Sequence, residues 1–204
     1  MNTALRLGLV ASLLLHPHFA ESKKCLQNLP VHLKLVVCDQ SGLNAESLLT
    51  AKTHTLHIFE RAGVDVTWIE LTDRTTGCTF ADHGKYFTVV IAPTAPKGWA
   101  SVDAMGLAPL LYGQYPRAYI FHSLAKIYAK TLEFSDEKKA IGIIIGHCIA
   151  HELGHLLIPA DAHGTGIMSP KWTHWEWAQA LRGNLLFHPD HARLIQDRLG
   201  RKRC

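Results

Sequence analysis

His151-Glu152-Leu153-Gly154-His155, followed by His163 and then by Gly166-Ile167-Met168, is the stretch around which the rest of this chain is arranged. On an α-helix residues four apart share a face, so His151 and His155 can grip one ion together while Glu152 points into the same cleft. Two neutral imidazoles suit Zn²⁺, and a catalytic zinc takes a third protein ligand and leaves one position open for water. A carboxylate beside that water can accept its proton during attack on a polarised carbonyl and return it to a leaving amine. The pentad therefore spells amide hydrolysis with Glu152 as general base. Such pentads also arise by chance, and here the context separates signal from accident. Residues 140–150 are apolar enough to form a buried helix that carries the pentad into a core.

A third ligand must come from beyond the helix. Pro159 ends the helix at about Ile158. Gly164 and Gly166 permit tight or left-handed backbone, so His163 sits in a short loop able to fold back under the helix end. Two other residues compete for the place. Asp161 lies in the same loop; if it does not ligate, it is a turn residue or supports a ligand from behind. Glu176 would bring a ligand from a later helix, but Thr173-x-x-Glu176 also reads as the capping box that starts that helix. Imidazole is the commoner zinc partner, which favours His163. His147, one turn before His151, is a further histidine to place, although a fourth ligand would close the site to water.

With those residues set out, the run resembles the metzincin metallopeptidases, in which H-E-x-x-H-x-x-G-x-x-H is followed by a tight turn containing methionine. It resembles the matrixin branch most, through Gly166-Ile167-Met168-Ser169-Pro170, and more closely still a group of exported bacterial proteins with a metzincin-like pattern. The departures are specific: the family glycine position falls on Ile158, the family third-histidine position falls on Asp161, and His163 comes two residues later. The resemblance implies that Met168 packs beneath the metal. Pro170 stands where astacin-type members carry a tyrosine, so that assistance is absent, as in matrixins.

The chain has 204 residues, 48% of them hydrophobic and 19% charged, which is one globular domain's worth of core-forming sequence. Residues 1–20 read as an export signal: Arg6 near the start, an apolar run over 7–15, then Pro17 and Ala20, with His18 an imperfect cleavage context. That run is too short to span a membrane. A secreted or periplasmic location follows, with no stable membrane insertion after signal removal. In an oxidising compartment some of the five cysteines (Cys25, Cys38, Cys78, Cys148, Cys204) should pair and one should remain. The pairing stays open, and Cys148 in the apolar helix reads as a buried free thiol. Net charge is +4, concentrated partly in Arg198, Arg201, Lys202 and Arg203, and no basic stripe interleaved with aromatics suggests nucleic acid.

Periodicity places strands at 31–37, 64–71, 86–92 and 116–122, an edge strand at 105–110, and a helix at 43–62 capped by Ser41 or Asn44 and ended by Gly63. Further helices are expected at 173–182 and 189–200. Trp172, Trp175 and Trp177 are expected to pack, although one of them could form a wall of the substrate pocket beside the methionine turn. The resemblance implies an α+β, zincin/metzincin-like fold: a twisted mixed sheet with a backing helix and an active-site helix above a small helical C-terminal subdomain. It would form a single catalytic domain over 21–204, with the upper subdomain at about 28–158 and the lower at about 159–204. It also implies that Gly106, Leu107 and Ala108 line the cleft, where an open edge offers unpaired amides to an extended peptide.

The expectation is thus an exported zinc metallopeptidase acting on a peptide or protein substrate, with one catalytic Zn²⁺ on His151, His155 and His163. The rival is a secreted zinc-binding protein without catalysis; an intact Glu152 speaks against it, since a purely structural site needs no base. Substrate preference and oligomeric state are not written in the sequence.

Overall fold

A computed structural model describes residues 31–71, 78, 86–98, 104–109, 116–132, 135–158 and 163–200. The expected export segment at 1–20, Cys25, Cys204, Arg201, Lys202, Arg203 and Asp161 lie outside these residues. In chain order the elements are β1 (Val31–Asp39), α1 (Ala45–Arg61), β2 (Val64–Leu71), β3 (Phe87–Ala92), β4 (Gly106–Leu107), β5 (Arg117–Phe121), α2 (His122–Thr131), α3 (Glu137–Leu157), α4 (His174–Leu181) and α5 (Pro189–Arg198). They form a mixed α/β arrangement around one five-stranded sheet, ordered β2-β1-β3-β5-β4. The pairs β1–β2, β1–β3 and β3–β5 are parallel, and β4 lies antiparallel on the outer edge of β5.

Alternation along the strands assigns the two faces. Leu33, Leu35 and Val37 of β1, Val89 and Ile91 of β3, and Ala118 and Ile120 of β5 join the main core with the helices. Cys38 and Val90 point the other way, where Cys38 is bonded to Cys78 and a small second cluster forms. The disulfide therefore ties the connection between β2 and β3 to β1. Cys148 is free and buried, as expected.

Helix α3 is buried along almost its whole length, from Ala140 to Ile158 apart from the two partly exposed histidines of the pentad. Its start is fixed by Asp136, whose carboxylate accepts from the Lys139 amide at 3.0 Å. By length and composition it could cross a membrane; in the folded chain 89% of its most apolar window is covered by protein. Most of that cover comes from α1. Asn44 caps α1 through the Ser47 amide at 2.9 Å, and Gly63 (φ +71°) follows its end.

The two helices touch through glycines. A Cβ on Gly142 would stand 2.6 Å from the Ser47 carbonyl oxygen, and one on Gly146 would stand 2.6 Å from that of Ala51. Hydroxyls stitch the same seam, since Ser47 Oγ donates to the Lys138 carbonyl (2.7 Å) and Thr55 Oγ1 to that of Gly146 (3.1 Å).

Nothing in the sequence marks α2. It begins directly after β5, with Phe121 at its N-cap making no side-chain cap bond, and only Ala125 and Ala129 are buried, so neither a start signal nor a large apolar stripe announces it. The edge strand is also shorter than the expected 105–110: only Gly106 and Leu107 pair, with Ile120 and Tyr119. Trp177 is buried and Trp172 half-buried, but Trp175 is 64% exposed, against the expectation that it packs.

Gly146→Ala tests the seam. Helix propensity alone would favour alanine by about 1 kcal/mol, whereas overpacking against fixed backbone costs about 1–3 kcal/mol. The expected result is a net loss of about 1–2 kcal/mol in urea unfolding; a variant as stable as the parent would show that α1 and α3 can separate freely.

Candidate metal centre

His151 and His155 lie on the same face of α3, one turn apart, with ring centroids 4.7 Å from each other. The chain then returns through a loop that closes on itself: the Gly164 amide donates to the Met168 carbonyl (3.0 Å) and the Ser169 amide to that of Gly166 (3.0 Å). Gly166 has φ +67°, and the Leu186 carbonyl oxygen would lie 2.5 Å from any Cβ there, so both conformation and space require glycine. The Ile167 amide anchors the loop to the Leu186 carbonyl at 2.9 Å. His163 is thereby carried to 4.7 Å from His155 and 5.8 Å from His151, centroid to centroid. Each of the three histidines offers a ring nitrogen, and these lie within 4.8 Å of one another.

Hydrogen bonds set the ring that each ligand presents. His151 Nδ1–H donates to the Ile167 carbonyl at 2.7 Å, which leaves the Nε2 lone pair facing the cleft. The same carbonyl accepts from the Trp172 indole N–H at 3.2 Å, and that indole stands edge-on to His151 at 5.7 Å. Trp172 is thus the tryptophan beside the methionine turn. Beneath, Met168 is fully buried, and a Cβ on Gly154 would run into its sulfur, so the turn packs directly under the pentad.

The donor set fits zinc. His151 and His155 Nε2 atoms are 3.1 Å apart, close to the about 3.3 Å that separates two nitrogens on one tetrahedral zinc with bonds of about 2.0–2.1 Å. A ligand imidazole must be neutral. Burial, followed by the neighbouring His151 and His163, holds His155 down at about 4, and burial also lowers His151. Glu152 is buried, and burial raises its carboxyl to about 8. Its side chain lies against the backbone of Gly106 on β4.

The competing candidates separate. Glu176 is occupied by its capping box: Oε2 accepts from the Thr173 amide at 2.7 Å, while the Thr173 hydroxyl takes the Trp175 amide. Asp161 lies outside the described residues. His147 is fully buried and apart from the three-histidine cluster; its Nδ1–H donates to the Ile143 carbonyl (2.8 Å) and its Nε2 has no partner among the described residues. Sequence reasoning placed a tryptophan beside the methionine turn and Gly106 in the cleft, but not the Ile167 carbonyl as a partner of His151, the Trp172 bond to that carbonyl or the contact of Gly106 with Glu152. The carbonyl is a main-chain group with no signature, and the other two depend on segments that meet only in the folded chain.

No family model matches the sequence, and no curated protein matches it. Among solved structures that do match is the crystal structure of archaemetzincin from Methanopyrus kandleri, 17% identical, covering 83% of this chain and 96% of that one, with a TM-score of 0.48.

Two measurements probe this arrangement. His163→Ala is expected to weaken zinc binding at least about tenfold in chelator competition, in line with losses seen around zinc sites, whereas Glu176→Ala keeps the zinc and loses about 1 kcal/mol of stability. The reverse pattern would place Glu176 on the metal. The second concerns His147. Burial depresses it from 6.5 to about 4, so between those values the unfolded chain binds a proton that the folded chain refuses. Stability contributed by its neutral form is full above about pH 6.5 and falls with pH toward about 4, by up to about 3 kcal/mol. His147→Met should flatten that part of the stability profile; an unchanged slope would mean that the ring is protonated in the folded state.

Proposed function

We propose that this chain is an exported zinc-dependent metallopeptidase of metzincin-like layout, cleaving peptide bonds in a peptide or protein substrate. The observation that carries it is the meeting of three ring nitrogens within 4.8 Å with a buried carboxylate that follows directly on the first of them. His151, His155 and His163 would hold the ion. Zinc bound there would supply a Lewis acid and lower the pKa of a water toward neutrality.

The protein's own residues do the rest. Glu152 accepts a proton from the attacking water and delivers it to the leaving amine. Burial places its carboxyl near 8; a dication in the cleft would pull it lower, toward the ionised form that a base needs. The Ile167 carbonyl keeps His151 in one tautomer, so its free nitrogen always faces the metal position. The outer edge of β4 is the natural seat for an extended substrate backbone, whose amide and carbonyl groups would continue the sheet. The Cys38–Cys78 disulfide supports an oxidising, secreted or periplasmic setting, as does the pattern of residues 1–20.

Glu152→Ala decides between the peptidase and a secreted zinc-binding protein. The variant is expected to bind one zinc with undiminished affinity and to cleave a denatured protein substrate about 10²–10⁴-fold more slowly. Equal cleavage by variant and parent would remove Glu152 from the mechanism. A zinc-loaded parent that cleaves nothing would favour the binding protein.

A further inference from the structure

The contact between the edge strand and Glu152 is closer than any side chain at position 106 would allow. A Cβ built on Gly106 falls 2.6 Å from Glu152 Cγ, 2.6 Å from Oε1 and 2.9 Å from Cδ. Gly106 is not among the glycines with positive φ, so an L-residue could take up its backbone without strain. What the glycine provides is room. The strand has little freedom to retreat, because Gly106 pairs with Ile120 and the Phe121 amide donates to the Met105 carbonyl at 2.9 Å. The carboxylate has little freedom either. Glu152 is only 8% exposed, and its neighbours Leu153 and Ala150 are fully buried on α3. The clash reaches Cγ, near the root of the side chain, so turning the carboxylate tip cannot relieve it.

We propose that Gly106 is a positioning residue for Glu152: its missing side chain lets the edge strand lie flat on the carboxylate and fixes where that carboxylate stands relative to the three histidines. This inference rests on the peptidase proposal for the role of Glu152, but not for the geometry itself. One strand then serves two ends of the reaction, since its inner face sets the base while its outer edge, which pairs with no strand among the described residues, would take the substrate. A displacement of about 1 Å in a reacting group costs about 10²-fold in rate.

The test uses the full zinc-loaded chain with Gly106→Ala, Glu152→Asp and the double variant, and follows the Glu152 side-chain carboxyl ¹³C resonance in the metal-free protein, assigned by its loss in Glu152→Gln. Gly106→Ala is expected to keep one zinc per chain and a melting temperature within a few degrees of the parent. Its kcat on the denatured protein substrate should fall about 100-fold with KM within about twofold, and the Glu152 resonance should move. Because both substitutions act through the position of the same carboxylate, the double variant should lose less than the product of the two single losses. Near-parental kcat with an unmoved resonance, or losses that simply multiply, would overturn the proposal. Failure of Gly106→Ala to fold or to hold zinc would overturn it too, for the glycine would then serve the strand and not the carboxylate. If the parent shows no peptidase activity, the functional proposal fails, and the resonance alone decides this one.

Discussion

From Ala140 onward helix α3 has no face that water would accept except the short strip bearing His151 and His155, and the rest of the fold is arranged to enclose it. A helix that is apolar all round is stable in water only when covered on every side. Here α1 covers it along the glycine seam of Gly142 and Gly146, the sheet contributes Ile120 and its neighbours to the same core, and Met168, Trp177, Leu185 and Phe187 close its C-terminal end. Enclosure has a chemical result. It strips solvent from Glu152 and from the histidine rings, so the carboxyl rises and the imidazoles stay neutral. Neutral imidazoles are the form that binds a metal, whereas the raised carboxyl would need a dication in the cleft to bring it back to the ionised form of a base.

The site is completed by a loop whose form is dictated by its own backbone. The Gly164–Met168 bond, the left-handed Gly166 and the Ile167–Leu186 bond fold the chain into one tight shape, and that shape does three things together. It brings His163 to the other two histidines, offers the Ile167 carbonyl to His151, and drives Met168 under Gly154. Histidine is free to ligate from such a loop because it needs only one good contact direction. His163 comes two positions later than the metzincin spacing, and its ring nitrogen still lies within 4.8 Å of those of His151 and His155.

Much of this was legible in advance, and for identifiable reasons. The pentad's spacing is a property of the helix, so His151 and His155 had to meet once the helix formed. Strong signals also marked α1, with Asn44 at its start and Gly63 at its end, and α4, whose capping box accounts for Glu176. Weak signals failed where the physics lies in contacts. Helix α2 starts without a cap and buries only alanines, so it has neither punctuation nor period. Trp175 looks like its neighbour Trp177 in the sequence, yet the turn of α4 sends one into the core and the other into solvent.

By itself the sequence determined the pairing of His151 with His155, the placing of Glu152 beside them, the burial of the helix that carries all three, and the strands that would receive it. These follow from local periodicity, which a linear chain records directly. Only the tertiary structure decided that His163 reaches the same point, that the Ile167 carbonyl orients His151, that Cys38 joins Cys78, and that Gly106 lies against Glu152. Each of those depends on where two distant segments come to rest, and that is settled by how the sheet and helices pack around α3.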